Sequence, residues 1–353
     1  MRVLKTGVTE CNRDRATPGL TLFATIHGHA ARLIDMTGKV VQEWRLHSPN
    51  STLVQLLPGG HLLSTELGED GRALRGGGNG GIIREYDWDG ELVWEHLDPG
   101  QHHDARRLPN GNTLYLGWEK MPGDAARRVV GGVAGSEEEG GAIHSDYLRE
   151  VTPAGMTVWE WHAHDDMDFE ALPLAPLSLR DEYGHANTCF PTDDGVLVSF
   201  RRLNAISFID RASGRIRWHK HDASWGGPHD CQYLDNGNIL LFANGYNTVD
   251  LPFSRVIEFD PETNETVWEY KGWPHLTFYS PHISGAQRLA SGNTLICEGG
   301  CGRLFEVADD GTNVWEYISP FDVKGPRGPE NWIFRAYRYA ENSPEIAKRV
   351  TAR

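Results

Sequence analysis

The sequence predicts an all-β protein, a six-bladed β-propeller with four antiparallel strands per blade, and three observations predict it. A tryptophan closes a short strand again and again, at Trp44, Trp94, Trp159, Trp218, Trp268 and Trp315, so at intervals of 50, 65, 59, 50 and 47 residues. Two hairpins in series fill the intervals. The chain ends supply three strands and one strand, which add up to one more blade. A four-stranded sheet recurring roughly every 40 to 50 residues is the signature of a propeller.

The outer hairpins are the most regular part of the repeat. ARLIDMTGK, IIREYDWDGE, YLREVTPAGM, ISFIDRASGR, RVIEFDPETNE and RLFEVADDGT each alternate apolar and polar residues into a turn ahead of the tryptophan strand. Alternation broken by Asp/Asn-Gly chemistry is a hairpin signal. The inner hairpins are LVQLLPGGHLLST, ARRLPNGNTLYLG, NTCFPTDDGVLVSF, CQYLDNGNILLFA and AQRLASGNTLICEG. Five complete units follow, at about 52–96, 103–162, 185–219, 229–270 and 282–317.

The sixth blade is shared. TLFAT, ARLIDM and KVVQEW, within about 20–46, supply three strands, and WIFRAYRY, within 331–340, supplies the fourth. That closure removes the exposed sheet edges an open array would carry. Residues 1–340 are therefore expected to form one domain, with 341–353 a tail that is a short helix or disordered. Two insertions, 121–141 and 165–183, read as irregular loops over one face, where propellers build specificity.

Composition narrows the function. Hydrophobic residues make up 39% and charged residues 24%, enough for a core, and the 40 glycines and 12 tryptophans suit short strands and tight turns. The net charge of −15 excludes a nucleic-acid backbone as partner, since phosphate contacts need a basic face. No apolar run reaches signal-peptide or membrane-span length, so neither a leader nor a membrane partner is expected. Five cysteines, Cys11, Cys189, Cys231, Cys297 and Cys301, form no CxxC pair. They read as reduced thiols, which gives a cytoplasmic expectation; Cys297–Cys301 as a redox pair or metal clip is the minor alternative.

The chemistry gathers at the hub. Of 16 histidines, His103, His185, His229 and His282 each open an innermost strand. The first three stand five residues before the Leu or Phe that precedes the turn, and His282 stands seven before. Strands starting at one end of neighbouring blades converge on the channel, so four imidazoles are expected to face one another. Imidazoles that repel when protonated need an anion, a metal or catalysis to keep them together. The hairpin from His185 brings Arg201 back beside it, and a guanidinium among imidazoles makes a pocket for a tetrahedral oxyanion. His61, His102, His219 and His221 read instead as structural, and Arg202 as a surface residue paired with a carboxylate. Trp225, Trp273, Phe278 and Tyr279 either wall an aromatic pocket or pack between blades.

At this point the sequence resembles the PAPS-independent arylsulfotransferases, bacterial propellers that move a sulfuryl group from one phenol to another. HHDARRLPNGNTL, the pairing of HAN with VSFRR, and PHDCQYLDNGNILLFANG followed by SRVIEFD carry the resemblance, with FYSPHISGAQRL and FRAYRY fitting the wider group. It covers about 18–339. The resemblance implies that His229 is the nucleophile that becomes sulfurylated, that His185 and Arg201 bind the sulfuryl oxygens, and that His103 assists with charge or proton transfer. Asn187, of the HAN segment, His282, Trp225 and Tyr279 are the expected substrate contacts. The well-known members carry an export signal, an added N-terminal β-domain and a structural disulfide, none of which is visible here.

The leading expectation is thus an enzyme that moves or hydrolyses the sulfuryl group of an aryl sulfate without a cofactor. Its partner would be an anionic, aromatic small molecule, with a homodimer left open as the oligomeric state. One alternative is a metal-dependent hydrolase, lyase or oxidoreductase, with a divalent transition metal on His103, His185, His229 and His282 and with Asp104 or Asp230 nearby. A second is a non-catalytic binding platform, because fold alone does not give function.

Overall fold

The computed structural model describes residues 5–71, 73–248, 251–325, 328–346 and 349–350. Six sheets stand in a ring, each built on four antiparallel strands, and two of them, those of blades 2 and 5, carry a fifth strand. Blades 1 to 5 come from 50–97, 101–162, 186–221, 229–271 and 285–318. Blade 6 pairs Ile333–Tyr339 as innermost strand with Leu20–Thr25, followed by Ala30–Ile34 and Val40–Arg45. Leu20 faces Tyr339 and Leu22 faces Tyr337 in that closing register.

Burial follows position in the ring. Middle strands such as Gly195–Phe200 and Ile239–Ala243 are buried throughout, because blades cover both faces. Outer strands such as Leu92–Leu97 and Thr157–His162 alternate with solvent. The recurring tryptophans lie on these outer strands and latch neighbouring blades. The indole N–H of Trp44 donates to Asp87 O, Trp94 to Pro153 O, Trp159 to Arg211 O, Trp268 to Asp309 O and Trp315 to Met36 O, at 2.8 to 3.4 Å. Each acceptor sits in the outer turn of the next blade, so the sequence repeat is a repeat of inter-blade hydrogen bonds. Trp218 differs and engages Tyr233 instead.

One strand adds to the sequence reading and two expectations need correction. The segment before residue 18 holds a strand, Gly7–Cys11, which extends blade 5 by pairing with Asn313–Ile318. The insertions are not irregular: Gly123–Arg128 is helical, and Gly131–Val133 of the first pairs in parallel with Leu174–Leu179 of the second. Arg180 fixes that pairing by donating to Gly131 O and Val129 O. Residues 341–346 form turns rather than a helix, and Ile346 is buried against blade 6 with Leu22 and Trp44. The rest of the tail, apart from 349–350, lies outside the described residues.

The innermost strands set up the site. In blades 1, 2, 3, 4 and 6 the pairing register shifts near the strand's start, between Asn50 and Val54, His102 and Ala105, Ala186 and Thr188, His229 and Gln232, and Ile333 and Ala336. A bulge bends the strand and re-aims a side chain. Here it turns the first residues of each strand into the channel. His103 and His185 take left-handed φ values of 50° and 55°, uncommon for non-glycine residues and concentrated at functional sites.

Candidate functional site

A cavity of about 380 Å³ opens at the channel mouth where the innermost strands begin. His103, His185, His229, His282 and Arg201 all line it, with His27, Thr52, Arg75, Trp332 and Phe334. None of the described lining residues is an aspartate or glutamate, although the chain carries a net charge of −15. Both walls are built from ordinary propeller geometry. Counting five residues back from the residue before each inner turn gives Thr52, His103, His185, His229, Ser284 and Phe334 in successive blades. His282 stands two residues ahead of that position and meets Trp332 edge-on, with ring centroids 4.7 Å apart.

Hydrogen bonds fix the imidazoles. His229 Nδ1 lies 2.7 Å from Asn244 Oδ1 and 3.0 Å from Gly227 O. Asn244 spends its amide N–H groups on Ser280 O and Ile283 O, so its oxygen must face His229 and Nδ1 must be the donor. Nε2 is then the unprotonated nitrogen. His185 Nδ1 lies 2.6 Å from Glu182 Oε1, and Arg202 holds the same carboxylate at 2.8 Å. Burial raises the Glu182 carboxyl, and Arg202 opposes that shift. His103 Nδ1 lies 2.7 Å from His102 Nδ1, whose Nε2 is 3.3 Å from Asp146. Asp146, His102 and His103 form a line from a buried acid to the cavity, and the His103 and His185 rings meet at 4.6 Å.

Arg201 supplies the positive charge. Its backbone N–H donates to His185 O, as the hairpin length predicts, and its guanidinium lies 5.6 Å over the Tyr246 ring. Among the described residues it makes no ion pair, and its Nε is buried without a hydrogen bond. Burial and the nearby Arg202 lower its affinity for a proton. Burial first, then Arg201, hold His185 and His229 well below the ordinary imidazole range. For His103 burial is joined by His185 and His102. The hub therefore presents neutral imidazoles beside a guanidinium without a counter-ion, an arrangement that binds an anion.

A glycine-rich strap between the second and third strands of blade 1 closes one side. A Cβ on Gly78 would lie 1.9 Å from His103 Cε1, and one on Gly76 would lie 2.7 Å from His185 Cε1. Arg75, on the same strap, donates to Ser136 O and contacts Asp181, joining both insertions to the hub. The run RGGGNGG was visible in the sequence, but nothing in its local pattern says which blades it crosses.

Other expectations come out differently. Asn187 is fully buried and bonds Pro228 O, Thr188 and Ser199, so it braces blades 3 and 4 rather than lining the cavity. Trp225 packs in the core against Phe259, which settles its reading as packing. Tyr279 lies outside the cavity wall and donates its N–H to Glu298. Phe278 is core and Trp273 is 84% exposed. Arg202 pairs with carboxylates as expected but is buried. His102, read as structural, touches His103 directly.

The metal reading of the hub fares poorly on geometry. Asp104 and Asp230 do not reach the cavity: Arg335, from blade 6, lies 3.2 Å from Asp104 and 2.9 Å from Asp230 and donates to Thr188 Oγ1, plugging the channel below. Among the described residues no three hub donors stand within 4.8 Å of one another; the group that does is Glu119, His162 and His164. All five cysteines are free thiols. Among the described residues no helix is long and apolar enough to cross a membrane.

Comparison with known proteins follows the same line. The family described as arylsulfotransferase (ASST) matches residues 125–320. No curated protein matches the chain. Among solved structures, a protein of unknown function from Bacteroides caccae superposes with a TM-score of 0.56 at 16% identity, covering 91% of this chain and 98% of its own. A streptogramin B lyase superposes with a TM-score of 0.50 at 13% identity, covering 95% and 93%. At such identities these structures share the propeller fold and nothing finer.

Proposed function

Because the chain belongs to the arylsulfotransferase family, we propose that it transfers or hydrolyses the sulfuryl group of an aryl sulfate ester through His229. The observation that carries this reading is a cavity lined by five histidines, His103, His185 and His229 among them, and by the unpaired Arg201 guanidinium, with no carboxylate among its described lining residues. The guanidinium in this wall repels a metal ion and attracts a sulfate monoester. Sulfuryl transfer asks for in-line positioning and for donors on the equatorial oxygens, which Arg201 supplies directly and His185 supplies from Nε2 once the bound anion favours its protonated ring.

The chemistry balances in two steps. The His229 Nε2 lone pair attacks sulfur as the S–O bond to the aryl group breaks, and a phenolate leaves. An acceptor hydroxyl then attacks the same sulfur, the N–S bond breaks and His229 regains its lone pair. The acceptor's proton passes to His103, whose Nδ1 is backed by His102 and Asp146. A phenolate needs little protonation to leave, so no strong acid is required.

The test is turnover of p-nitrophenyl sulfate with and without added phenol, on wild type and His229→Ala. Release of nitrophenolate by wild type and its loss in the variant supports the reading. Equal activity in both sinks the covalent route. Binding of the ester without turnover in either would make the propeller a non-catalytic platform.

A further inference from the structure

The face of blade 2 that carries the insertions holds a second cluster, apart from the hub. Glu119 closes the second strand of that blade, His162 closes its outermost strand, and His164 stands in the short helical turn that follows. Glu119 Oε1 lies 2.6 Å from His162 Nδ1 and 3.2 Å from His164 Nδ1. His164 Nδ1 is shielded from solvent and meets Glu119 Oε1 without forming a hydrogen bond to it, so its lone pair is open to an ion held between them. His164 Nε2 faces Asp165 Oδ1 at 3.5 Å.

We propose that Glu119, His162 and His164 bind a divalent transition metal of the zinc class. Two imidazole nitrogens and one carboxylate oxygen are a complete three-ligand set for tetrahedral zinc, with water as the fourth ligand. Bonds of about 2.0–2.1 Å put neighbouring donors about 3.3 Å apart, so Glu119 need withdraw from His162 by well under 1 Å. Asp165 supplies the outer carboxylate that takes the far ring N–H of a ligating histidine and fixes its orientation. The position explains what the ion does. The first insertion leaves the strand of Glu119, and the second leaves the strand of His162 and carries His164 at its root. A metal here ties the roots of both insertions together; the far end of the second delivers Glu182 to His185 and Asp181 to Arg75, and Ser136 O of the first accepts from the same Arg75. The ion is a clamp on the cavity's cover, not a participant at the sulfur.

The test is metal content and spectroscopy on the full-length protein, stripped with chelator and then dialysed against zinc, with cobalt(II) as the visible probe. Wild type retains one zinc per chain, shows the intense visible bands of tetrahedral cobalt, and melts higher with zinc than without. His164→Ala and His162→Ala lose the bands and the rise in melting temperature, and Asp165→Asn weakens zinc about tenfold. His229→Ala, at the hub, keeps all three properties. Failure of wild type to retain zinc overturns the proposal, and so does loss of zinc in the hub variant with retention in His164→Ala, which would place the ion on the hub.

Discussion

The Asn244 side-chain oxygen stands 2.7 Å from His229 Nδ1, and its two amide hydrogens are committed elsewhere, so this residue, together with Gly227 O at 3.0 Å, selects the tautomer of the proposed nucleophile. Replacing Asn244 by Ala leaves Gly227 O alone to hold the proton on Nδ1, so the ring spends more of its time with the proton on Nε2, where attack is impossible. The expected outcome is a fall of about 100-fold in kcat for aryl sulfate, with KM little changed. Stability falls too, because Ser280 O and Ile283 O lose their donors. Asn244→Asp keeps the acceptor and recovers part of kcat while sharing the stability loss. Equal kcat in both variants would show that the tautomer is not limiting.

The hub also predicts a pH dependence. His103, His185 and His229 titrate well below the ordinary value of about 6.5 in the folded chain, whereas the unfolded chain takes up protons near that value. Below about pH 6.5 the unfolded state therefore binds more protons than the folded one, and stability falls with pH toward the depressed folded values. Bound sulfate favours the protonated imidazoles and reverses the trend. The melting temperature should drop between about pH 7.5 and 5.5, and sulfate should raise it more at the acid end. Arg201→Ala should abolish most of the sulfate effect. An unchanged sulfate shift in that variant would remove the cavity as the anion site.

Gly78→Ala tests the strap. The residue has φ of 84°, and an added Cβ would fall inside the His103 ring. Either the strap lifts or His103 leaves its hydrogen bond to His102, so kcat should fall at least about tenfold. Gly77→Ala has a similar backbone cost, at φ of 83°, but nothing within 4 Å of its Cβ. It should lose stability without the same loss of activity. Matching losses of activity in the two variants would mean that strain, not the displaced imidazole, is responsible.

The propeller was legible because its signals are local and repeat: alternation, turn chemistry and a tryptophan at fixed phase. Three hub histidines were legible for the same reason, since phase in the repeat fixes position in the ring. Arg335 was not, although it stands one residue after the hub position of blade 6. Its partners, Asp104 and Asp230, stand at the same phase in blades 2 and 4, but phase fixes only their common level in the ring and not which blades' side chains meet across the channel. Asn187 and Trp225 show the converse. Nearness in sequence to a site residue placed them in the pocket, but alternation along a strand sends neighbours to different surroundings. The strand Gly7–Cys11 escaped notice because its burial is slight and its pairing partner lies some 300 residues away.

The tryptophan latches are a separate mechanical prediction. Trp315 is fully buried, donates to Met36 O at 3.0 Å and lies under the Arg338 guanidinium at 4.4 Å, so it joins blade 5 to the blade that closes the ring. Trp315→Phe keeps most of the packing and loses the N–H donor, a cost of about 1 kcal/mol for the hydrogen bond alone. The cation–π contact weakens as well, because the indole is the better partner for a guanidinium. Trp94 makes the same latch from a half-buried position, so its change to Phe should cost less. Trp273, 84% exposed, should be neutral. Chemical denaturation of the three variants gives the order directly. If Trp315→Phe proves as mild as Trp273→Phe, the recurring indole N–H contributes phase to the sequence pattern but little to holding the blades together.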